Sequence, residues 1–286
     1  MKKTILKIYL LTILFCFIGC KLSVGTKPKA KTGGSSGGQE EIKPTYIGTK
    51  APTEAKVVGD VVFNDGSATP YTAGMTFTED QKNAAIALIF YKGTGLNNGN
   101  DTTTSRTLGV GLKHNQIGLR WCSDDADANK KNITTIQCSV EYSADRLIIS
   151  GVKNGKNNLK QIGEFEGVND TKTKEKYPAF YFAKNYKDIT GSNVSDTDYE
   201  EDWYLPSIAE LYKIYACRAD TRNGFNVDAA SDALGGNQFG DFPYWSSTQD
   251  SSVSQYAFEF QFDSGNVCPR VKSNYYEGVC CIREFN

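Results

Sequence analysis

Eight cysteines and one histidine are the groups in this 286-residue chain best suited to covalent or metal chemistry. Cys16 and Cys20 lie near the start; the other six are Cys122, Cys138, Cys217, Cys268, Cys280 and Cys281. No CxxC spacing occurs, so a zinc site has no support. Outside the cytoplasm these six could pair in several ways. Cys280 and Cys281 are adjacent and could bridge each other only with strain. The pattern predicts mostly buried thiols, with Cys122–Cys138 as the best candidate disulfide. The single histidine, His114, excludes a His-rich metal site and gives no support to a histidine triad. It is expected at the surface or hydrogen-bonded. Asp125-Ala126-Asp127-Ala128-Asn129 begins like an EF-hand loop, but Lys130 replaces the required glycine and Ile136 the closing glutamate. A solvated acidic loop is expected there. An activated thiol needs a base or a positive surround, and only Arg270 and Arg283 lie near the late cysteines. Arg283 is expected to make a framework salt bridge. No catalytic residue, metal or cofactor is expected.

Cys20 has a different chemistry. Lys2, Lys3 and Lys7 precede twelve mostly apolar residues, Ile8 to Gly19. That run is a secretory signal and is too short to span a bilayer as a helix. Phe17-Ile18-Gly19-Cys20 looks like a lipoprotein cleavage site, with Cys20 as the acylated first residue. Residues 1–19 are read as the signal. Their loss removes three lysines and shifts the formal charge from −1 to −4, which gives no basic excess for nucleic acid. Residues 20–45 hold Lys27-Pro28-Lys29 and Gly33-Gly34-Ser35-Ser36-Gly37-Gly38. They read as a flexible linker that reaches roughly 25–30 Å. The expected location is the outer membrane and cell surface, through the lipid anchor at Cys20.

Residues 46–286 must then supply the fold. Val57 to Phe63 reads as a strand closed by a hairpin turn at Asn64-Asp65-Gly66-Ser67. Thr78 with Gln81 reads as a helix cap, and Ala84 to Tyr91 as a buried strand. Gly109 and Gly111 alternate in Leu108–Leu112, which suggests a close approach to the backbone. Short helices are expected over Tyr177–Tyr186, from Pro206 onward with Leu211, Ile214 and Tyr215 on the core, and over Phe225–Leu234 with Gly235-Gly236 as the stop. Phe258, Phe260 and Phe262 alternate with Glu259 and Gln261, the pattern of a half-buried strand. Asp263-Ser264-Gly265-Asn266 turns the chain, and Val279 to Phe285 reads as one final strand. Short strands, short helices and long loops make the expected class α+β.

An ordered series links these pieces: Trp203-Tyr204-Leu205-Pro206-Ser207 with Glu210-Leu211, Tyr244-Trp245-Ser246-Ser247, Ala257-Phe258 with Phe260, Phe262 and Gly265, and Val279-Cys280-Cys281-Ile282-Arg283. It resembles C-type-lectin-like domains of the formylglycine-generating-enzyme type. Those of treponemal lipoproteins, whose opening Gly59–Gly66 and Leu108–Leu112 segments also look alike, are closest. Within that set the chain resembles the variable lipoproteins of diversity-generating retroelements. The resemblance covers roughly residues 55–286. It implies a C-type-lectin-like fold whose last segment, residues 244–285, is diversified while the framework persists. The oxidase branch of the fold needs a spaced pair of cysteines that Cys280-Cys281 does not provide. Calcium-lectin Trp-Asn-Asp and Glu-Pro-Asn motifs are absent.

The resemblance places ligand binding on one face near the C-terminus. Gln249, Asp250, Ser251, Ser252, Ser254 and Gln255 would form its polar rim. If the phenylalanines are core, Glu259 and Gln261 point outward. The turn at Gly265 brings Val267, Cys268, Pro269 and Arg270 beside them. Tyr256 and Arg270 are the expected anchors. Trp203 and Trp245 are expected in the core rather than as sugar platforms, together with Leu205, Leu211, Phe260 and Phe262. The expected partner is a protein or glycan held without metal. The alternatives are a fixed adhesin or structural surface protein of the same fold, and a thiol- or metal-dependent oxidase.

Overall fold

In the computed structural model the described residues are 45–99, 101–143, 146–166, 173–219 and 225–285. The expected signal, Cys20 and the linker up to residue 44 lie outside them. β1 (Asp60–Phe63) and β2 (Ala68–Pro70) form the expected hairpin. Gly66 takes φ 81° in its turn, and the Asp65 carboxylate accepts from Ser67 N at 2.9 Å. Val57 and Val58 are exposed and precede the strand. α1 (Glu79–Ala84) starts at the Thr78–Gln81 capping box, which satisfies two backbone donors reciprocally. β3 (Ala85–Gly93) is buried on both sides from Ala85 to Phe90. β4 is Arg106–Gly111. With β12 (Ile282–Glu284) these strands make an antiparallel sheet in the order β12-β4-β3-β1-β2. What approaches the alternating glycines of β4 is aromatic. A Cβ on Gly109 would lie 2.6 Å from the Phe285 ring, and one on Gly111 would lie 2.5 Å from the Tyr186 ring.

The second sheet has seven strands. β10 (Val267–Val271), β9 (Tyr256–Gln261), β8 (Pro243–Asp250), β11 (Glu277–Val279) and β5 (Asn115–Leu119) follow one another. β6 (Gln137–Ser143) joins β8 in parallel and carries β7 (Arg146–Gly151). The helices are α2 (Gly155–Glu166), α3 (Thr173–Lys176), α4 (Pro178–Lys184), α5 (Ile208–Ala219) and α6 (Val227–Ala233). α5 begins later than Pro206 suggests, because Ser207 and Glu210 close their own capping box. Ser207 N donates to Glu210 Oε2 at 2.8 Å, and Glu210 N to Ser207 Oγ at 3.2 Å. Leu211 and Ile214 are buried beneath α5. Gly235, at φ 70°, ends the run after α6, and Gly236 N returns to Ser231 O.

Two cores lie on opposite sides of the strands. One gathers Phe63, Leu88, Leu211, Phe258, Phe260 and Phe262; the other gathers Trp121, Tyr177, Phe180, Trp203 and Trp245. Neighbouring residues divide between them: Leu88 and Ile89, Tyr244 and Trp245, Phe258 and Ala257, Cys280 and Cys281. This division corrects two expectations. Cys122 and Cys138 belong to different cores, so they do not meet, and none of the six described cysteines is in a disulfide. Val279–Phe285 is not one strand. β11 ends in the second sheet, the Cys280-Cys281 step crosses between the cores, and β12 enters the first sheet beside β4.

Polar pairing holds the interior where apolar contact does not. Arg106 donates to Leu96 O at 2.8 Å, Glu210 Oε1 at 3.2 Å and the Tyr204 hydroxyl at 2.9 Å. Burial raises the Glu210 pKa, and Arg106 and the capping donors oppose that rise. In place of the expected salt bridge, Arg283 donates to the carbonyls of Glu201 and Asp198 and lies 4.9 Å from the centre of the Tyr199 ring. Residues 125–129 are solvated only at their acids: Asp125 and Asp127 are exposed, while Ala126, Ala128 and Asn129 are buried. No helix among the described residues is long and apolar enough to cross a membrane.

Candidate ligand-binding face

The register of β9 and β10 decides which expected residues meet. Val267 pairs with Phe260, Cys268 with Glu259, Pro269 with Phe258 and Arg270 with Ala257. Gly265, at φ 75°, makes the turn that sets this register. Successive strand residues face opposite sides. Phe258, Phe260, Val267 and Pro269 therefore share one face, and Glu259, Gln261, Cys268 and Arg270 share the other. Trp245 on β8 sits opposite Glu259 and belongs to this second face.

The face is not the open polar surface that alternation suggests. Glu259 is only 1% exposed, because Trp245 and the second core cover the same side of the sheet. Its Oε1 accepts from Arg270 at 3.0 Å and from Gln261 Nε2 at 3.1 Å. Its Oε2 is buried with no nitrogen or hydroxyl donor in reach. Glu277 on β11 hydrogen-bonds to Glu259 and is itself buried. Burial, then the Glu259 charge, push the Glu277 carboxyl up to about 8. A carboxyl held protonated in this way donates its own hydrogen to Glu259. The Arg270 guanidinium lies 5.3 Å from the centre of the Tyr275 ring, which is 43% exposed. Tyr276 is also exposed and lies under Arg120. Cys268 is half-buried, and burial followed by Glu259 raises its pKa.

The remaining expected residues divide. Ser251, Ser252, Gln255 and Pro269 are exposed; Asp250, Ser254, Tyr256, Gln261 and Arg270 are half-buried. Gln249 and Val267 are buried, against expectation. Gln249 is a structural tie: its side chain accepts from Ile133 N and donates to Lys131 O and Ser254 O. Trp203, Leu205, Leu211, Trp245, Phe260 and Phe262 are all buried as expected.

The sequence reading missed Glu277, Tyr275 and Lys272. A pair of tyrosines followed by an acid in a polar turn, Asn274-Tyr275-Tyr276-Glu277, was the available signal. Lys272 is fully buried and donates to the carbonyls of Ala128 and Ser254, each at 2.8 Å. Its ammonium lies 4.8 Å from the Trp121 ring centre, and burial lowers its pKa to about 8. It ties the rim loop to the second core. His114 is hydrogen-bonded, between the Tyr244 hydroxyl and Gly111 O. A cavity of about 550 Å³ between α2 and α4 includes Leu159, Ile162 and Phe180 in its lining, but none of the expected ligand residues lines it. Among the described residues no group of His, Cys, Asp and Glu could hold a metal.

No protein-family model matches the chain, and no curated protein matches it closely enough to count. A solved structure of a fimbrial protein from Bacteroides ovatus ATCC 8483 is similar in fold, with TM-score 0.52 and 15% identity. The match covers 80% of this chain and 49% of that one, so the chain spans about half of its length. What this likeness carries is the architecture: a mixed α+β domain of two sheets and short helices.

Proposed function

We propose that this protein is a lipid-anchored surface protein that binds a protein or glycan ligand without catalysis. Binding would use the β9–β10 face of a C-type-lectin-like domain of the formylglycine-generating-enzyme type, with residues 244–285 as a diversified segment. The observation that carries this reading is the division within β9 and β10. Phe258, Phe260 and Ala257 are buried framework, while Gln261, Cys268, Arg270 and the neighbouring Tyr275 remain at least partly exposed around a polar centre. Tyr and Arg at such a centre suit binding energetics. Buried thiols argue against an oxidase: burial raises the pKa of both Cys280 and Cys281, and thiolate is the reactive form.

Three measurements test the proposal. Acyl labelling should mark wild type and fail for Cys20→Ala, and protease should reach the domain on intact cells. A ligand selected from host or bacterial surface extracts should lose about 1 kcal/mol or more of affinity in Tyr256→Ala, Gln261→Ala or Tyr275→Ala, with an unchanged melt. Affinity that survives all three variants refutes the site. The second reading, a fixed adhesin of the same fold, is favoured by the fimbrial neighbour. A near-copy of the codons for residues 244–285 beside a reverse transcriptase, differing only at adenines, supports diversification; its absence supports the fixed adhesin.

A further inference from the structure

We propose that the cavity between α2 and α4 binds a small amphipathic anion, a linear aliphatic carboxylate, with its chain against the second core and its carboxylate among three lysines. This site stands apart from the β9–β10 face, none of whose residues lines it.

The cavity exists because α2 does not close on α4. Along α2 its lining includes Lys156, Leu159, Lys160 and Gly163, spaced i, i+3, i+4 and i+7, so they form one stripe of the helix. A stripe packed on a neighbouring helix would be apolar throughout. This one is cationic at two positions and bare at a third. A Cβ on Gly163 would meet no atom within 4 Å, so the glycine leaves open space rather than admitting a close neighbour. Glycine inside a helix is destabilising relative to alanine, and no close packing offsets that here. The result is a volume of about 550 Å³, within the range that holds one small ligand. From Lys156 to Gly163 it follows α2 for roughly 10 Å, which suits an elongated occupant.

Burial divides the lining into an apolar floor and a cationic mouth. Ile162 and Phe180 are buried in the second core, and the half-buried Leu159 packs against it. Lys156, Lys160 and Lys184 are exposed. Among the described residues no aspartate or glutamate lines the cavity. Lys156 and Lys160 stand one turn apart, and like charges at that spacing repel; an anion between them removes the repulsion. Their present partners compete weakly. Lys156 lies 3.3 Å from Asp202 and Lys160 lies 3.6 Å from Glu164; all four side chains are well exposed, and such surface pairs contribute little. Lys184 is partnered too, and an exposed ammonium on a flexible stem can serve a second acceptor. The complement of this lining is an apolar chain that ends in a carboxylate. A neutral chain forgoes the lysines, and a cationic one is repelled by them.

The test uses the full-length chain in detergent-free buffer and dodecanoate below its micellar concentration, with dodecanol and dodecylammonium as the neutral and cationic controls. Calorimetry should show one dodecanoate bound per chain, weaker binding of dodecanol and none of dodecylammonium. Lys156→Gln combined with Lys160→Gln should weaken dodecanoate roughly fivefold to tenfold and leave dodecanol unchanged. Gly163→Leu puts a side chain into the open space and raises helix propensity, so it should hold or raise Tm while abolishing binding. A diazirine-bearing dodecanoate should label peptides of α2 or α4 in the wild type, a readout independent of how any variant folds. No dodecanoate binding to the wild type, dodecanol binding as tightly, labelling confined to other peptides, or full binding by a folded Gly163→Leu overturns the inference.

Discussion

Replacing Glu277 by glutamine should stabilise the domain in alkaline solution. The glutamine amide keeps a donor for Glu259 and cannot ionise. In the wild type the Glu277 pKa is raised from 4.5 to about 8 by burial and by Glu259. A carboxyl raised on folding contributes fully below its unfolded pKa, and that contribution is lost as pH climbs from 4.5 to about 8. Each unit is worth about 1.4 kcal/mol, so the ceiling is about 5 kcal/mol. Rotation of Arg270 toward the new carboxylate offsets part of this and leaves about 2–4 kcal/mol. For a domain of this size that is a rise in Tm of roughly 4–16 °C in the variant. Thermal melts of both proteins at pH 5 and pH 9 are the assay. The melts should nearly coincide at pH 5 and separate at pH 9, with the variant higher. Equal melts at pH 9, or a variant destabilised by the same amount at both values, would refute the shared proton.

Two further outcomes follow from packing and burial. Gly111→Ala should destabilise by about 1–3 kcal/mol, because the added methyl would lie 2.5 Å from the Tyr186 ring; a neutral urea midpoint would contradict that close approach. With a water-soluble thiol reagent, Cys268 should label in the native state while Cys138, Cys280 and Cys281 label only on unfolding, since burial raises the pKa of Cys138 to about 12 and that of the adjacent pair as well. Native-state labelling of Cys280 at the rate of Cys268 would exclude the two-core arrangement.

Local rules carried much of the architecture. The Thr78 cap, the Asp65-Gly66 turn, the Gly235 stop and the alternation of Phe258, Phe260 and Phe262 each depend on residues within a few positions, and each was legible. Burial of Glu259 was not. Alternation shows that it opposes Phe258 and Phe260, but says nothing of what covers the opposite side. That cover comes from Trp121, Trp245 and Val279, far apart in sequence, and the partner Glu277 sits eighteen residues on, in another strand. Glu210 is similar. Its spacing from Ser207 fits a surface helix cap, yet Arg106, 104 residues earlier, draws it inside. The break between β11 and β12 was hidden because an unbroken apolar run looks the same whether its residues fill one core or two.

The crossing at Cys280-Cys281 bears on when the chain can fold at all. β12 closes the edge of β4, whose partners lie 172 to 176 residues earlier, from Ile282↔Val110 to Glu284↔Leu108, and β11 is held between β8 and β5. The second sheet is not whole until Val279 has emerged, and the first not until Glu284. During synthesis, then, most of the polypeptide precedes the strands that complete the sheets, and these long-range pairings form last. A stop introduced anywhere upstream of Glu277 removes β11 and β12 and so deprives both sheets together. Folding of the domain thus waits on these last two strands.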